Sequence, residues 1–293
     1  MLGTNPYDNG RGTPLRARTH APGGASFMIS REAYVRLFDD YGVTDVGYLH
    51  RHWPRFRNTK EIFERGVNRV AGKRVLDIGA HWLHQAVLFA LDSYQVTAVD
   101  FPESIETASI ANLAHAYGIQ LVSCDDLAHP AALSGFSDGY FDVIIFGEIL
   151  EHLAFNPVAL WREMYRLLAE GGRIVVTTPN CYAATRRRFV ELRYWIGGGA
   201  GITVDEILAT PSRGHHWKEY SLREVERYFK LLSPDFVIHR SIHIEDELST
   251  DAALGQQIAA RIRRSIPVLR SRLHVEVSLP AKRSGIVVEP HWS

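Results

Sequence analysis

The sequence predicts an α/β domain with a mostly parallel sheet and helices on both of its faces. Three stretches predict it. The first is RVLDIGAHWLHQ, Arg74 to Gln85. Val75, Leu76 and Ile78 form a short apolar run, as in a strand buried on both sides. Gly79 and Ala80 mark a sharp turn that something approaches closely, and Gln85 to Leu91 begins a helix. Strand, small-residue turn and helix open a nucleotide-binding unit whose ligand lies above the carboxyl end of the strand. The second stretch is Gln95 to Val99, a strand ending at Asp100. A carboxylate about 20 residues past the turn can accept both hydroxyls of a ribose. The third stretch alternates strand, helix and strand between Tyr140 and Thr178.

Taken in order, residues 1–26 are rich in Gly, Pro, Thr and Arg and read as a flexible tail. Residues 27–70 read as a helical segment. Ser30 is placed to cap a helix over Arg31 to Asp40, and Asn58 to Val70 carries Ile62, Phe63, Val67 and Val70 at helical spacing. Between them GYLHRHWPRFR, Gly47 to Arg57, reads either as a lid over a substrate or as a helical flap packing its aromatics on the sheet edge. The main domain spans 71–293. A helix over Ser104 to Tyr117 ends at Gly118, and Ile119 to Ser123 is the third strand. Tyr140 to Phe146 is the fourth strand. Asn156 and Pro157 start a helix with Leu160, Met164, Leu167 and Leu168 on one face. Gly171-Gly172 ends it before a fifth strand, Arg173 to Thr178. An insertion, 181–215, holds Arg186, Arg187, Arg188, Arg193, Tyr194 and Trp195. Ser221 and Glu224 make a capping box for Leu222 to Leu232. Phe236 to His239, a basic amphipathic helix over Asp251 to Ile266, and the strand Leu273 to Leu279 complete the chain.

Composition bounds the function. The chain has 293 residues, 46% of them hydrophobic, enough to bury a full core. Lys+Arg 33 against Asp+Glu 33 gives net charge +0. That argues against attraction of the whole surface to nucleic acid or to a membrane. Cys124 and Cys181 are too few for a disulfide framework and form no metal-binding pair. A reducing cytoplasm is the expected location. No signal peptide is read at the start, and no run reaches the ~18 apolar residues of a membrane span.

The stretch around Asp77 and Gly79 resembles the first motif of class I S-adenosylmethionine-dependent methyltransferases, an acidic residue followed by three alternating glycines. His81 and Leu83 stand where the second and third glycines fall. Their Cβ atoms predict a turn wider than a three-glycine loop, or a reshaped pocket with an imidazole at its rim. The run FDVIIFGEILEHL through NPVALWREMYRLLAEGGRIVVTTPN, like the string His216-Trp217-Lys218-Glu219-Tyr220-Ser221, is similar to a large subgroup of these enzymes. The resemblance implies a Rossmann-like seven-stranded, mostly parallel sheet ending in an antiparallel pair. It also implies an N-terminal helical flap and a cap inserted after the fifth strand. The cofactor it implies is S-adenosylmethionine, held by Asp77, Gly79, Ala80, His81, Asp100, Phe101 and Glu148, with Asp125 at the adenine and Asp126 free to cap the next turn.

Methyl transfer to an alcohol needs a group that takes the hydroxyl proton as the bond forms. Imidazole suits that task. His152 follows the fourth strand, and the family fold brings His216 over the same rim; these two are the candidate catalytic residues. His215 is expected to point elsewhere. Glu148, Glu151, His152 and His216 also reproduce the ligand set of the metal-dependent small-RNA 3′-terminal 2′-O-methyltransferases, so a divalent metal is the less favoured alternative. The resemblance implies an O-methyltransferase acting on a sugar hydroxyl of a polysaccharide, glycolipid or glycosylated small molecule. The rivals are a terminal ribose methyltransferase on RNA and a cofactor-binding protein without catalysis. Zero net charge opposes the first rival; intact Asp77, Gly79 and Asp100 oppose the second.

Overall fold

The computed structural model describes residues 29–43, 46–65, 72–183, 207–208, 214–247 and 254–290. The expected tail, and most of the insertion with its arginines and Trp195, lie outside them. Seven strands form one sheet: β1 (Arg74–Ile78), β2 (Gln95–Asp100), β3 (Gln120–Ser123), β4 (Phe141–Gly147), β5 (Leu168–Pro179), β6 (Val237–Ile244) and β7 (Arg272–Leu279). Their spatial order is β3-β2-β1-β4-β5-β7-β6. The pairs among β1 to β5 are parallel, and β7 runs antiparallel to both neighbours. The chain winds outward from β1 to β3, then returns to lay β4 on the other side of β1. This reversal opens a crevice at the carboxyl ends of β1 and β4, where ligands of such sheets bind.

Alternation along the strands feeds two cores. Val75, Val143, Ile145 and Val175 face one side with α1 (Arg31–Asp40), α2 (Val46–Glu64), α3 (His84–Ala90) and α5 (Ala108–Tyr117). Leu76, Ile144, Phe146, Ile174 and Val275 face the other with α6 (Val158–Leu167) and α7 (Leu222–Leu232). Both faces of the central strands are apolar because both are covered. One patch breaks the rule. Glu276 on β7 is fully buried and meets Arg173 at 3.0 Å, Arg240 at 3.1 Å and His274 at 3.2 Å.

Local signals set most boundaries. Ser30 Oγ accepts from Ala33 N, and the Ser221/Glu224 capping box forms. Asn156 Oδ1 accepts from Val158 N at 3.0 Å, so α6 begins one residue later than expected. Three expectations are corrected. The second helix starts at Val46 rather than Asn58: α2 takes in Gly47 to Arg57, as the helical-flap reading has it, and runs through Pro54, while Val67 and Val70 lie outside the described residues. Ser104 to Tyr117 is not one helix: α4 (Pro102–Ile105) stops, and Thr107 caps α5 through Ile110 N. Gly171-Gly172 does not end α6, since β5 already pairs at Leu168 and carries the two glycines in an irregular opening. Among the described residues, no helix is long and apolar enough to cross a membrane.

Candidate active site

A cavity of ≈ 990 Å³ occupies the crevice. Its floor is the turn between β1 and α3. Gly79 adopts φ 72°, and a Cβ there would lie 2.1 Å from Ile149 Cδ1, so a larger residue would be strained and would have to displace that side chain. His81 (φ 49°) and Leu83 (φ 64°) share the left-handed conformation. The chain thus follows an alternating left-handed path with His and Leu where glycine is easiest. The His81 ring lies 3.9 Å from that of Trp82, and Leu83 is fully buried. The imidazole of His81 lines the cavity, as the reshaped-pocket expectation has it.

Carboxylates surround this turn. Asp100 accepts from His81 N and from Phe101 N, both at 2.7 Å, and so ties the turn to the end of β2. Asp77 is buried beneath it, and its Oδ2 has no hydrogen-bond partner. Burial, reinforced by the charge of Asp100, pushes the Asp77 carboxyl up to about 8, against a backbone hydrogen bond from Ala86. Ala86 lies in the first turn of α3, whose Leu83 cap has no side-chain acceptor of its own. Asp125 is exposed at the cavity's far end, while Asp126 Oδ1 accepts from Ala128 N at 2.7 Å and closes the turn after β3.

Helix α2 forms one wall. Tyr48, His52, Arg55, Phe56 and Thr59 fall at helical spacing and line the cavity. Leu49, Trp53 and Phe63 on the adjoining stripe are buried in the core. The segment thus covers the site and packs on the sheet at once. Burial, then the charge of Arg55, lowers the His52 imidazole to about 4. Sequence reasoning passed over these individual residues, though a four-residue periodicity from Tyr48 onward could have found them.

The opposite wall follows β4. Glu148 has φ 57°, a strained conformation for this residue. It faces Arg55 and Arg272, each at 3.9 Å. Glu151 is buried; its Oε2 accepts from Thr178 Oγ1 at 2.9 Å, and its backbone oxygen accepts from Trp217 N at 2.8 Å. Burial, then the charge of Glu148, pushes the Glu151 carboxyl well above the usual range. The Trp217 bond draws the segment after the insertion onto the site. His152 and His216 consequently meet edge to face with ring centroids 4.8 Å apart. His215 is buried against Trp217 instead. His152 Nδ1 donates to His215 O at 3.1 Å, since a carbonyl can only accept. In the neutral ring this leaves Nε2 with its lone pair. Donor atoms of Glu151, His152 and His216 lie within 4.8 Å of one another. Glu148 is not in that group. All the residues expected to hold the cofactor, and both candidate histidines, line this one cavity.

The family described as "Methyltransferase domain" matches residues 49–232, more than half of the chain. The chain belongs to the methyltransferase-domain family. A Mycobacterium tuberculosis protein named as a probable S-adenosylmethionine-dependent methyltransferase is 27% identical to it over 167 residues, 57% of this chain and 56% of that protein. The ubiquinone biosynthesis O-methyltransferase of Xanthomonas oryzae is 33% identical over 114 residues, 38% of this chain and 45% of that protein. The chain thus spans about half the length of these relatives. Among solved structures, a chain of the complex between the Haloferax volcanii Trm112 methyltransferase activator and a methyltransferase superposes with TM-score 0.55 at 16% identity. That match covers 85% of this chain and 99% of the other, and it supports the seven-stranded fold. The site of this methyltransferase-domain chain fits S-adenosylmethionine. A left-handed glycine turn, a carboxylate at the end of β2 and a buried carboxyl with one oxygen lacking a hydrogen-bond partner suit a ligand with a ribose and cationic groups.

Proposed function

We propose that this chain is an S-adenosylmethionine-dependent O-methyltransferase, with a sugar hydroxyl of a polysaccharide, glycolipid or glycosylated small molecule as acceptor. The observation that carries the reading is the pairing of His152 with His216 in the cavity that Asp77 and Asp100 floor. S-adenosylmethionine, when bound, supplies a methyl group already activated as a sulfonium. Asp100 accepts the ribose hydroxyls, and Asp77 offers negative charge beneath the cationic end. Asp125 takes the adenine amine at the exposed end of the cavity. His152, oriented by the carbonyl of His215, presents Nε2 to the acceptor hydroxyl and takes its proton as the oxygen–carbon bond forms. His216 orients that hydroxyl. The α2 wall excludes water from the methyl-transfer line. Isotope-labelled S-adenosylmethionine with a panel of glycosides and glycolipids tests the reading. Label in the acceptor, lost in the His152→Ala/His216→Ala double variant, is expected; label in the double variant at wild-type rate overturns it. Absence of cofactor binding by calorimetry would leave neither this nor a cofactor-binding role. Labelling of RNA with steep salt dependence would move the acceptor to nucleic acid.

A second reading rests on the convergence of Glu151, His152 and His216. One carboxylate and two imidazoles suit a divalent transition metal, which would lower the acceptor's pKa directly. Glu148 is drawn instead towards Arg55 and Arg272. Chelator separates the readings: it leaves the metal-free enzyme active and abolishes turnover of the metal-dependent one.

A further inference from the structure

A helix between β6 and β7, α8 (Leu254–Ser265), is amphipathic in the reverse sense for a surface element. Leu254, Ile258 and Ile262 recur every four residues, and Ile266 continues the stripe just past the helix. With Val268 in the following turn they are between 44% and 72% exposed. Ala260, on the opposite side, is the buried residue of the helix. The helix is held from that inner side. Arg263 meets Glu245 at 2.7 Å, and Asn180 Nδ2 donates to Val268 O and Arg270 O at 2.8 and 2.7 Å. The apolar stripe therefore faces solvent.

Charge decides what suits this face. No acidic residue stands between Leu254 and Arg272, while Arg261, Arg263, Arg264 and Arg270 do. Arg263 and Arg270 turn inward to Glu245 and to the His243 carbonyl. Arg261 is exposed beside the stripe, and Arg264, also exposed, lies towards the Ala260 side of the helix. The chain as a whole carries net charge +0, so this excess is local. A second copy of the same helix would set arginine against arginine. One stripe on a helix of 12 residues also falls short of the ~800 Å² per partner of a stable protein interface. An anionic lipid surface meets both features, taking the aliphatic side chains below its headgroups and the guanidinium groups among its phosphates.

We propose that α8 docks this chain on an anionic membrane surface, lying in the interfacial plane. The topology gives the docking a direction. β6 runs parallel to β1 and β4, so the excursion that carries α8 leaves from the same edge of the sheet as the cavity. Docking holds the cavity's edge of the sheet against the bilayer. Resting on the methyl-transfer reading, this narrows the acceptor to a lipid-borne one.

The test is sedimentation of the whole chain with vesicles, without cofactor or acceptor, so that its failure leaves the methyl-transfer reading untouched. Wild type is expected to pellet with phosphatidylcholine vesicles containing phosphatidylglycerol, to stay in solution with phosphatidylcholine alone, and to be released by salt. Ile258→Glu/Ile262→Glu should abolish pelleting. Arg261→Gln/Arg264→Gln, which leaves the apolar stripe intact, should weaken it about tenfold or more. Both variants change exposed side chains and should keep the wild-type circular dichroism. Wild type that pellets with neither vesicle, or an Ile258→Glu/Ile262→Glu protein that pellets like wild type, overturns the proposal. So does concentration-dependent dimerisation in light scattering that the same double substitution dissolves, since the face then belongs to protein association.

Discussion

His152 and His216 stand edge to face at 4.8 Å although a long insertion separates them in the chain. Two backbone bonds make the meeting: Trp217 N donates to Glu151 O, and the His215 carbonyl receives the Nδ1 proton of His152. Each histidine is thereby positioned by the other's neighbour. Their contributions to turnover should be strongly coupled, as those of groups acting as a unit are.

His152→Ala should lower kcat by roughly 10²–10⁴-fold with cofactor affinity unchanged. His216→Ala should lower it as well, and the double variant should be little worse than the poorer single one. Steady-state kinetics alongside cofactor titration checks this. Unchanged turnover in both single variants would remove both histidines from the chemistry.

Asp100→Ala should weaken cofactor binding tenfold or more, on the order of the 1.5–3 kcal/mol of charge-assisted hydrogen bonds. Both of its oxygens already receive backbone N–H groups, from His81 and Phe101. The substitution therefore also loosens the turn. Isothermal calorimetry with the demethylated product reads the loss, and wild-type affinity would refute the placement.

Asp77 predicts a proton linked to binding. Its carboxyl is raised from an ordinary 3.8 to about 8, so the free protein holds the proton at pH 7. Its contribution to stability is fully present below the ordinary 3.8 and is lost as pH rises from there to about 8, where the folded carboxyl also ionises. A cationic ligand above the carboxyl favours its ionised form, and binding at pH 7 should release the proton. Calorimetry in buffers of different ionisation enthalpy measures it. Asp77→Asn should remove that release; buffer-independent heats in the wild type would exclude it.

The left-handed residues of the turn predict opposite outcomes for one kind of change. His81→Gly relieves a strained conformation at the cavity rim and should raise stability by up to about 1 kcal/mol. Leu83→Gly relieves similar strain but empties a fully buried site, and should lower stability by about 2 kcal/mol. Urea denaturation of the two variants distinguishes them, and destabilisation by His81→Gly would show that its ring holds the turn.

What the sequence made legible was local. The buried strand Val75 to Ile78, the Ser30 cap, the Ser221/Glu224 box and the carboxylate after β2 each depend on residues a few positions apart. α2 was partly hidden because its two stripes serve different purposes, one core and one cavity, and Pro54 breaks the pattern between them. Arg272 and Glu148 could not be paired in advance, since only the antiparallel insertion of β7 brings Arg272 to the crevice. The left-handed path of the turn was hidden because the Trp82 contact and the Leu83 pocket that accompany it do not show in residue spacing.

The buried carboxylate of Glu276 has a consequence for assembly of the sheet. Its partners come from three strands: Arg173 from β5, Arg240 from β6 and His274 from β7 itself. Slipping β7 by a single residue would turn Glu276 to the face where Val275 and Val277 pack. A charge stranded there costs several kcal/mol, more than any one apolar contact returns. The ionic patch therefore acts as a proofreader of strand register, favouring one alignment of β7 between β5 and β6.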